Sequence, residues 1–279
     1  MRKYLELIRF FQPIGSILLF LSSSFGIIFA LRDQNFNLEI LQITILFFIG
    51  SFVMRSSGCI INDITDRNLD KRVARTKNRP ITSGKISVLQ ALIFLAALLL
   101  VGLAILLQFN LLTILLGFVA LFLVILYPFC KRFTYYPQFI LGITFNFSIL
   151  MSYSAITNQI TFSIILLYFV GLIWTIIYDT IYAFADIEDD LKIGIKSTAI
   201  KFSKNPKLIL TILGLIKIAL LTIIATINSF FIGSFVTIFL YLLFFFWQIK
   251  GWDINDKKQC LTIFKNNVLN GVIIGLILF

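Results

Sequence analysis

The sequence predicts an all-α protein that crosses a membrane repeatedly: one polytopic helical bundle, residues 1–279, of about nine transmembrane helices. Three observations carry this. Of 279 residues, 59% are hydrophobic and only 13% charged, a balance foreign to a water-soluble globule of this size. Apolar runs of about 17 to 25 residues, long enough for a helix to cross a hydrocarbon core, recur from end to end. Stretches such as "ALIFLAALLLVGLAILL" show no alternation of polar and apolar positions, which argues against the short strands of a membrane barrel.

In order, the expected spans are 13–31, 38–61, 88–107, 111–129, 137–157, 160–184, 208–227, 230–249 and 267–279. The last is short, and whether it crosses fully is left open. "MRKYLELIRFFQP" reads as an amphipathic lead-in, and the run behind it has no small-residue cleavage site, so no signal peptide is expected. All but Arg32, Arg55 and Lys217 of the 24 Lys and Arg fall on alternate flanks of the spans. The positive-inside rule puts the N-terminus and the 62–87, 130–136 and 186–207 loops in the cytoplasm, with a bacterial inner membrane as the expected location. The net charge of +11 therefore reports topology, and no nucleic-acid partner is expected.

Cys59, Cys130 and Cys260 lack paired spacing and lie near the expected cytoplasmic ends of spans, which fits packing residues better than disulfides. There is no His, so His-ligated metals and a His general base are excluded. Chemistry falls to carboxylates, amides, phenols and cations.

Most of the 13 acidic residues gather in two places. Asp63, Asp66 and Asp70 follow the second span in "INDITDRNLDKR"; Asp179, Asp186, Glu188, Asp189 and Asp190 end the sixth. Both clusters fall on the expected cytoplasmic side, one in each of two possible halves, 1–130 and 137–279, which hints at an internal duplication. If the second helix runs on through its motif, Asn62, Asp66 and Asp70 share one face at i, i+4 and i+8, and Asp186 and Asp190 repeat the spacing. Like charges at that spacing repel, so a cation between them is called for. A hard dication suits carboxylates shared with a substrate's phosphates, and two facing sets would clamp two Mg²⁺ around one diphosphate. The plainer alternative is solvated loop acids neutralised by Arg67, Lys71, Arg72 and Lys192.

"GCIINDITDRNLDKRVARTKNRPITSGKIS" and "YDTIYAFADIEDDLKIGIKSTAIKF" resemble the two signature segments of the UbiA family of intramembrane aromatic prenyltransferases. "MRSSGC", "YPFCKRFTYYPQ" and "IGIKS" extend the likeness to the branch that prenylates 4-hydroxybenzoate, over most of the chain from "QPIGSILL" to "FKNN". The resemblance implies a nine-helix bundle around a lateral, lipid-facing cavity capped by the aspartate motifs. It implies Mg²⁺-dependent transfer of a polyprenyl group from polyprenyl diphosphate to the ring carbon ortho to the hydroxyl of 4-hydroxybenzoate, a step in ubiquinone biosynthesis. Asn62, Asp66 and Asp70 satisfy the first motif, with Asp63 beside it; Asp186 and Asp190 satisfy the second, preceded by Tyr178, Asp179 and Tyr182. Catalytic roles fall to Asp66, Asp70, Asp186 and Asp190, and metal contacts to these plus Asn62, Asp63 and Asp179. No obligate protein partner is implied.

Tyr127, Lys131, Arg132, Lys192 and Arg79 are the candidates for the diphosphate, although Lys131 and Arg132 serve equally as topology anchors. Arg55 lies within a span two turns before Asn62, and its planar fork suits the carboxylate of a benzoate; the alternative is a structural pair with Asp179. With Asn62 it forms the expected acceptor site. Phe145, Phe147, Tyr153 and Trp174 are candidate walls that keep water from an allylic cation. "KNRPITSGKIS", with a Pro80 break and a Gly84 turn, is a candidate lid whose Arg75, Lys77 and Arg79 would reach the diphosphate or the anionic lipid surface. A secondary transporter is the rival class, and homogentisate, dihydroxynaphthoate or haem are rival acceptors.

Overall fold

The computed structural model describes residues 1–73 and 76–279, apart from the side chains of Lys131 and Ile193. Every regular element among them is a helix: α1 (Arg2–Leu7), α2 (Ile14–Ala30), α3 (Leu38–Asp70), α4 (Val88–Leu106), α5 (Leu111–Phe133) and α6 (Pro137–Thr157) come first. α7 (Phe162–Phe184), α8 (Ile187–Ile193), α9 (Thr198–Phe202), α10 (Pro206–Ile227), α11 (Ile232–Gly251) and α12 (Lys257–Leu278) complete the chain. Eight helices are long and apolar enough to cross a membrane, and α2 is a shorter apolar one, so the nine expected spans each find a helix.

Two of them differ from the expectation. α3 runs 33 residues, about 50 Å at 1.5 Å per residue, so it outlasts a hydrocarbon core and carries its acids outward on continuous helix. α12 begins at Lys257 rather than at 267 and is 22 residues long. Its first turns, "KKQCLTIFKNN", are polar and hide the helix from an apolar count, but Asp256 caps it by accepting from the amides of Lys258 and Gln259. Elsewhere the starts follow local chemistry: Asn37, Asn110 and Thr161 cap α3, α5 and α7, and Ser87 with Gln90 forms a capping box on α4.

α7 is the axial helix and packs on α6, α10 and α12, while α2 packs on α6, α12 and α3. Lipid offers no hydrophobic drive for helices to associate, so close backbone approach and buried hydrogen bonds hold them together. Gly26 sits where any Cβ would strike the Ile149 carbonyl and the Ser152 hydroxyl. Ser152 donates to the Ser23 carbonyl at 2.7 Å, Ser22 to Asn146 Oδ1 at 3.1 Å, and Asn146 to Thr175 Oγ1 at 2.9 Å. α4 and α5, by contrast, touch each other sparsely. The 76–87 segment is packed rather than loose: Ile81 and Ile86 bury against Leu7, Ile60, Ala91 and Leu95, and Gly84 turns the chain at φ 76°.

Candidate active site

A cavity of about 1430 Å³ opens at the acid-bearing ends of α3 and α7 and descends between α2, α3, α4, α5 and α6. Both motifs reach it. Asn62, Asp63, Asp66 and Asp70 enter from α3, and Asp179, Asp186 and Asp190 from α7 and the start of α8. Asp63, Asp66 and Asp70 are only 0%, 5% and 7% exposed, which rules out the reading of the first set as solvated loop acids. Glu188 lies outside the cavity lining on an exposed pair with Lys257 at 2.7 Å, and that contact holds its carboxyl below the usual range.

Arginines order the first motif. Arg9 Nη2 donates to both oxygens of Asp63, at 2.8 and 2.9 Å. Arg79 Nη1 donates to Asp63 Oδ1 at 3.1 Å and to Asp70 Oδ2 at 2.8 Å. Asp63, expected at a metal, thus has its oxygens engaged by two guanidinium groups and works here as an anchor. Arg79, expected at the diphosphate, bridges two carboxylates. Sequence reasoning missed Arg9, because the lead-in returns to α3 only through a left-handed turn at Arg9 itself, φ 59°, and the pair is 54 residues apart.

The remaining cations sort differently from the expectation. Arg132 is exposed and lies outside the cavity lining, donating to the Thr65 carbonyl at 3.0 Å. Lys192 and Lys77 are exposed and outside it as well. The side chain of Lys131 and all of Arg75 fall outside the described residues. Lys196 and Lys265 do line the cavity. The first sits in the "IGIKS" tail quoted above, and the second was masked by starting the last span at 267.

Arg55 faces the cavity from α3, its guanidinium 5.6 Å from the centre of the Phe145 ring and within electrostatic range of Cys59, Tyr127, Tyr178 and Asp179. The first turn of α2 passes so close that a Cβ on Gly15 would overlap this guanidinium. Tyr127 comes from α5 one residue before Pro128, which has no N–H to give the Val124 carbonyl, and both Val124 and Tyr127 line the cavity.

Of the four expected wall aromatics only Phe145 lines the space. Phe147 edges onto Tyr168, Tyr153 packs on Phe29, and Trp174 is buried with Nε1 donating to Asn267 Oδ1 at 3.1 Å. These three point into helix contacts instead. Their places are taken by Tyr178, Tyr182 and Phe264, whose rings meet at 5.8 and 4.6 Å. Among the described residues seven acidic side chains and five cationic ones line the cavity.

A buried, aspartate-mouthed and largely apolar cavity in an all-helical membrane bundle defines an intramembrane site for an amphiphile. The model of the UbiA prenyltransferase family matches residues 19–271, and the chain belongs to this family. It is an integral membrane protein. A 4-hydroxybenzoate octaprenyltransferase from Francisella tularensis subsp. mediasiatica is 42% identical, with 99% of this chain and 96% of that protein covered. The protein of the same name from Idiomarina loihiensis is 39% identical over 97% of this chain and 94% of its own length. In fold, the chain is similar to a UbiA homolog from Archaeoglobus fulgidus bound to GPP and Mg²⁺, with a TM-score of 0.72, 20% identity and 99% of both chains covered.

Proposed function

We propose that this chain transfers a polyprenyl group from polyprenyl diphosphate to the ring carbon ortho to the hydroxyl of 4-hydroxybenzoate, giving 3-polyprenyl-4-hydroxybenzoate for ubiquinone biosynthesis. One observation carries the reading: two aspartate sets from separate parts of the chain meet at one cavity mouth, with Arg55 deeper on the same helix. The relatives named above act, by name, on 4-hydroxybenzoate. We place the protein in a bacterial inner membrane, its acids facing the cytoplasm, with residues 1–279 as one functional unit.

The residues fit a divalent metal, and Mg²⁺ in particular. The cavity already carries more acids than cations, so a diphosphate enters only with added positive charge. The donors are hard carboxylate oxygens, the kind Mg²⁺ takes. Among the described residues no three such groups converge on a closed cage, which suits an ion held by one or two carboxylates plus substrate phosphate. Asp66 and Asp70 on one side and Asp186 and Asp190 on the other would each hold one such ion, two carboxylates apiece, with Asn62 and Asp179 beside them. Bound there, such ions would supply the positive charge that a departing diphosphate calls for.

The chain's own groups do the rest. Tyr127, Arg79 and Lys196 flank the diphosphate; Lys131, its neighbour in the "YPFCKR" segment, joins them by the resemblance. Arg55 orients the acceptor by its carboxylate, so that the ring carbon next to the hydroxyl faces the allylic carbon. Phe145, Tyr178, Tyr182 and Phe264 exclude water and offer ring faces to the positive charge.

Purified protein in lipid, given a polyprenyl diphosphate and radiolabelled 4-hydroxybenzoate, should form lipid-soluble label with Mg²⁺ and none with chelator. Asp66→Ala and Asp190→Ala should abolish product while the protein stays folded. Full activity in either variant would reassign the metal ligands, and turnover with homogentisate or dihydroxynaphthoate alone would reassign the acceptor. A transporter is disfavoured because the acids crowd one end of the bundle, whereas transport sites sit near the midplane.

A further inference from the structure

Among the described residues three buried side-chain hydroxyls find no hydrogen-bond partner: those of Thr82, Ser234 and Tyr178. Of these only Tyr178 lines the cavity. A buried hydroxyl left unsatisfied costs free energy, so one held at the wall of a binding space calls for a partner that arrives with the ligand. The Thr175 hydroxyl, one turn back on α7, comes near without reaching hydrogen-bond distance, and the Asn146 amide already engages it at 2.9 Å.

Packing keeps the Tyr178 ring from turning to another partner. Trp174, one turn earlier, meets it edge-on at 5.3 Å, and Phe264 of α12 meets it at 5.8 Å. The indole is pinned in its turn by its bond to Asn267 and by Phe25 of α2 at 5.6 Å. α12 passes so close at Gly271 that a Cβ there would lie 3.0 Å from the same indole. Three helices thus fix a residue that is only 2% exposed.

The surroundings of the hydroxyl define what it can take. Arg55, Tyr127 and Asp179 lie within electrostatic range of it, and all three line the cavity. A guanidinium fork satisfies one lone pair on each oxygen of a carboxylate, which leaves about two of its four lone-pair sites open. Shielded from water, those sites need a neutral donor, and a phenol gives a strong bond to an ionised oxygen. The acceptor's own phenol oxygen stands at the opposite end of its ring, next to the carbon that reacts, so it is the carboxylate that comes to the neighbourhood of Arg55.

We propose that the Tyr178 hydroxyl donates a hydrogen bond to the acceptor's carboxylate beside Arg55, and that the two residues together select a carboxylated phenol. This rests on the prenyl-transfer reading above. Arg55 supplies charge and Tyr178 supplies direction: a rigid ring carries its donor at a fixed place, whereas the guanidinium rides on a flexible stem.

The test is Tyr178→Phe, which keeps the ring and its contacts and removes only an oxygen that has no partner in the ligand-free protein. Its melting temperature in lipid should match or exceed that of the wild type. With a polyprenyl diphosphate and Mg²⁺, its KM for 4-hydroxybenzoate should rise about tenfold, the worth of one hydrogen bond to a charged group, while kcat and the donor KM stay within about twofold. Equilibrium binding of 4-hydroxybenzoate should weaken by the same factor. Placed in Arg55→Ala, the substitution should cost clearly less than tenfold, because both residues act on one carboxylate. An unchanged acceptor KM overturns the proposal, as does a shift in the donor KM alone or a penalty that is fully additive with Arg55→Ala. Wild-type transfer to 4-hydroxybenzoate with an indifferent Tyr178→Phe defeats this inference alone; absence of transfer by the wild type defeats the parent reading and this one with it.

Discussion

Replacing Gly15 by alanine adds one methyl group to α2, at the point where the Arg55 guanidinium already fills the space. Were the guanidinium to stay, overpacking would cost about 1–3 kcal/mol. Arg55 is the far end of a flexible side chain, so it swings away instead, and global stability changes little. What is lost is position. A hydrogen bond to a charged group is worth about 1.5–3 kcal/mol, and about 1.4 kcal/mol is a factor of ten, so losing one of two bonds to a carboxylate costs tenfold or more. Steady-state assays in lipid should show the KM for 4-hydroxybenzoate rising by about that factor, with the KM for the prenyl donor unchanged. Introducing Gly15→Ala into Arg55→Ala should add nothing further, because the group it displaces is already gone. An unchanged acceptor KM, or an equal loss for a neutral acceptor such as 4-hydroxybenzamide, would refute the placement of the carboxylate at Arg55.

Asp63→Asn keeps the shape of the anchor but leaves Arg9 and Arg79 without its charge. Those side chains are 25% and 19% exposed, so the cost should be about 2 kcal/mol, below the 3–5 of a fully buried pair; a loss under about 0.5 in unfolding experiments in lipid would show the cage to be idle. Lys217 is 1% exposed in α10 and donates to the Tyr241 hydroxyl at 2.8 Å, with no carboxylate within salt-bridge distance among the described residues. Lys217→Met should raise stability by about 1 kcal/mol or more at unchanged turnover, and a destabilised variant would contradict that reading. Asp66→Asn keeps the size of the side chain, removes its charge from the mouth and should abolish turnover. Thermal shifts should also show that Mg²⁺ at a hundred times its Kd stabilises the wild type by about 2.7 kcal/mol and this variant far less.

Periodic and local features were legible in the sequence. Apolar runs placed nine helices, and the i, i+4 spacing of Asn62, Asp66 and Asp70 put them on one face, because a helix fixes that geometry within a few residues. What stayed hidden depended on tertiary contact. Nothing near Arg9 announces a partner 54 residues away, and nothing in "FILGITFNFSILMSY" tells Phe145 from Phe147, although only the first reaches the cavity. A hydropathy window discards polar helical turns, which is why α12 was cut short and Lys265 overlooked. Lys192 was assigned by its nearness to the second motif in sequence, but α8 turns it outward.

α3 sets the heights of the groups along the cavity. Phe47, Ser51, Arg55, Gly58, Asn62, Asp66 and Leu69 all line the cavity, and their spacing averages close to the 3.6 residues of a helical turn. One face of one helix therefore carries the cavity floor, Arg55 and the acidic mouth, at heights fixed by its rise. Arg55 and Asp66 are separated by about 16 Å along the axis, room for one aromatic acid and one diphosphate placed end to end. On the proposed assignment the acceptor would enter before or beneath the donor's head group, because a donor at the aspartates would fill the mouth above it. Continuity of α3 through its motif is thus a condition of the chemistry. A single inserted residue between Arg55 and Asn62 would rotate the acids about 100° away from the guanidinium and separate the two substrates, even with every side chain retained.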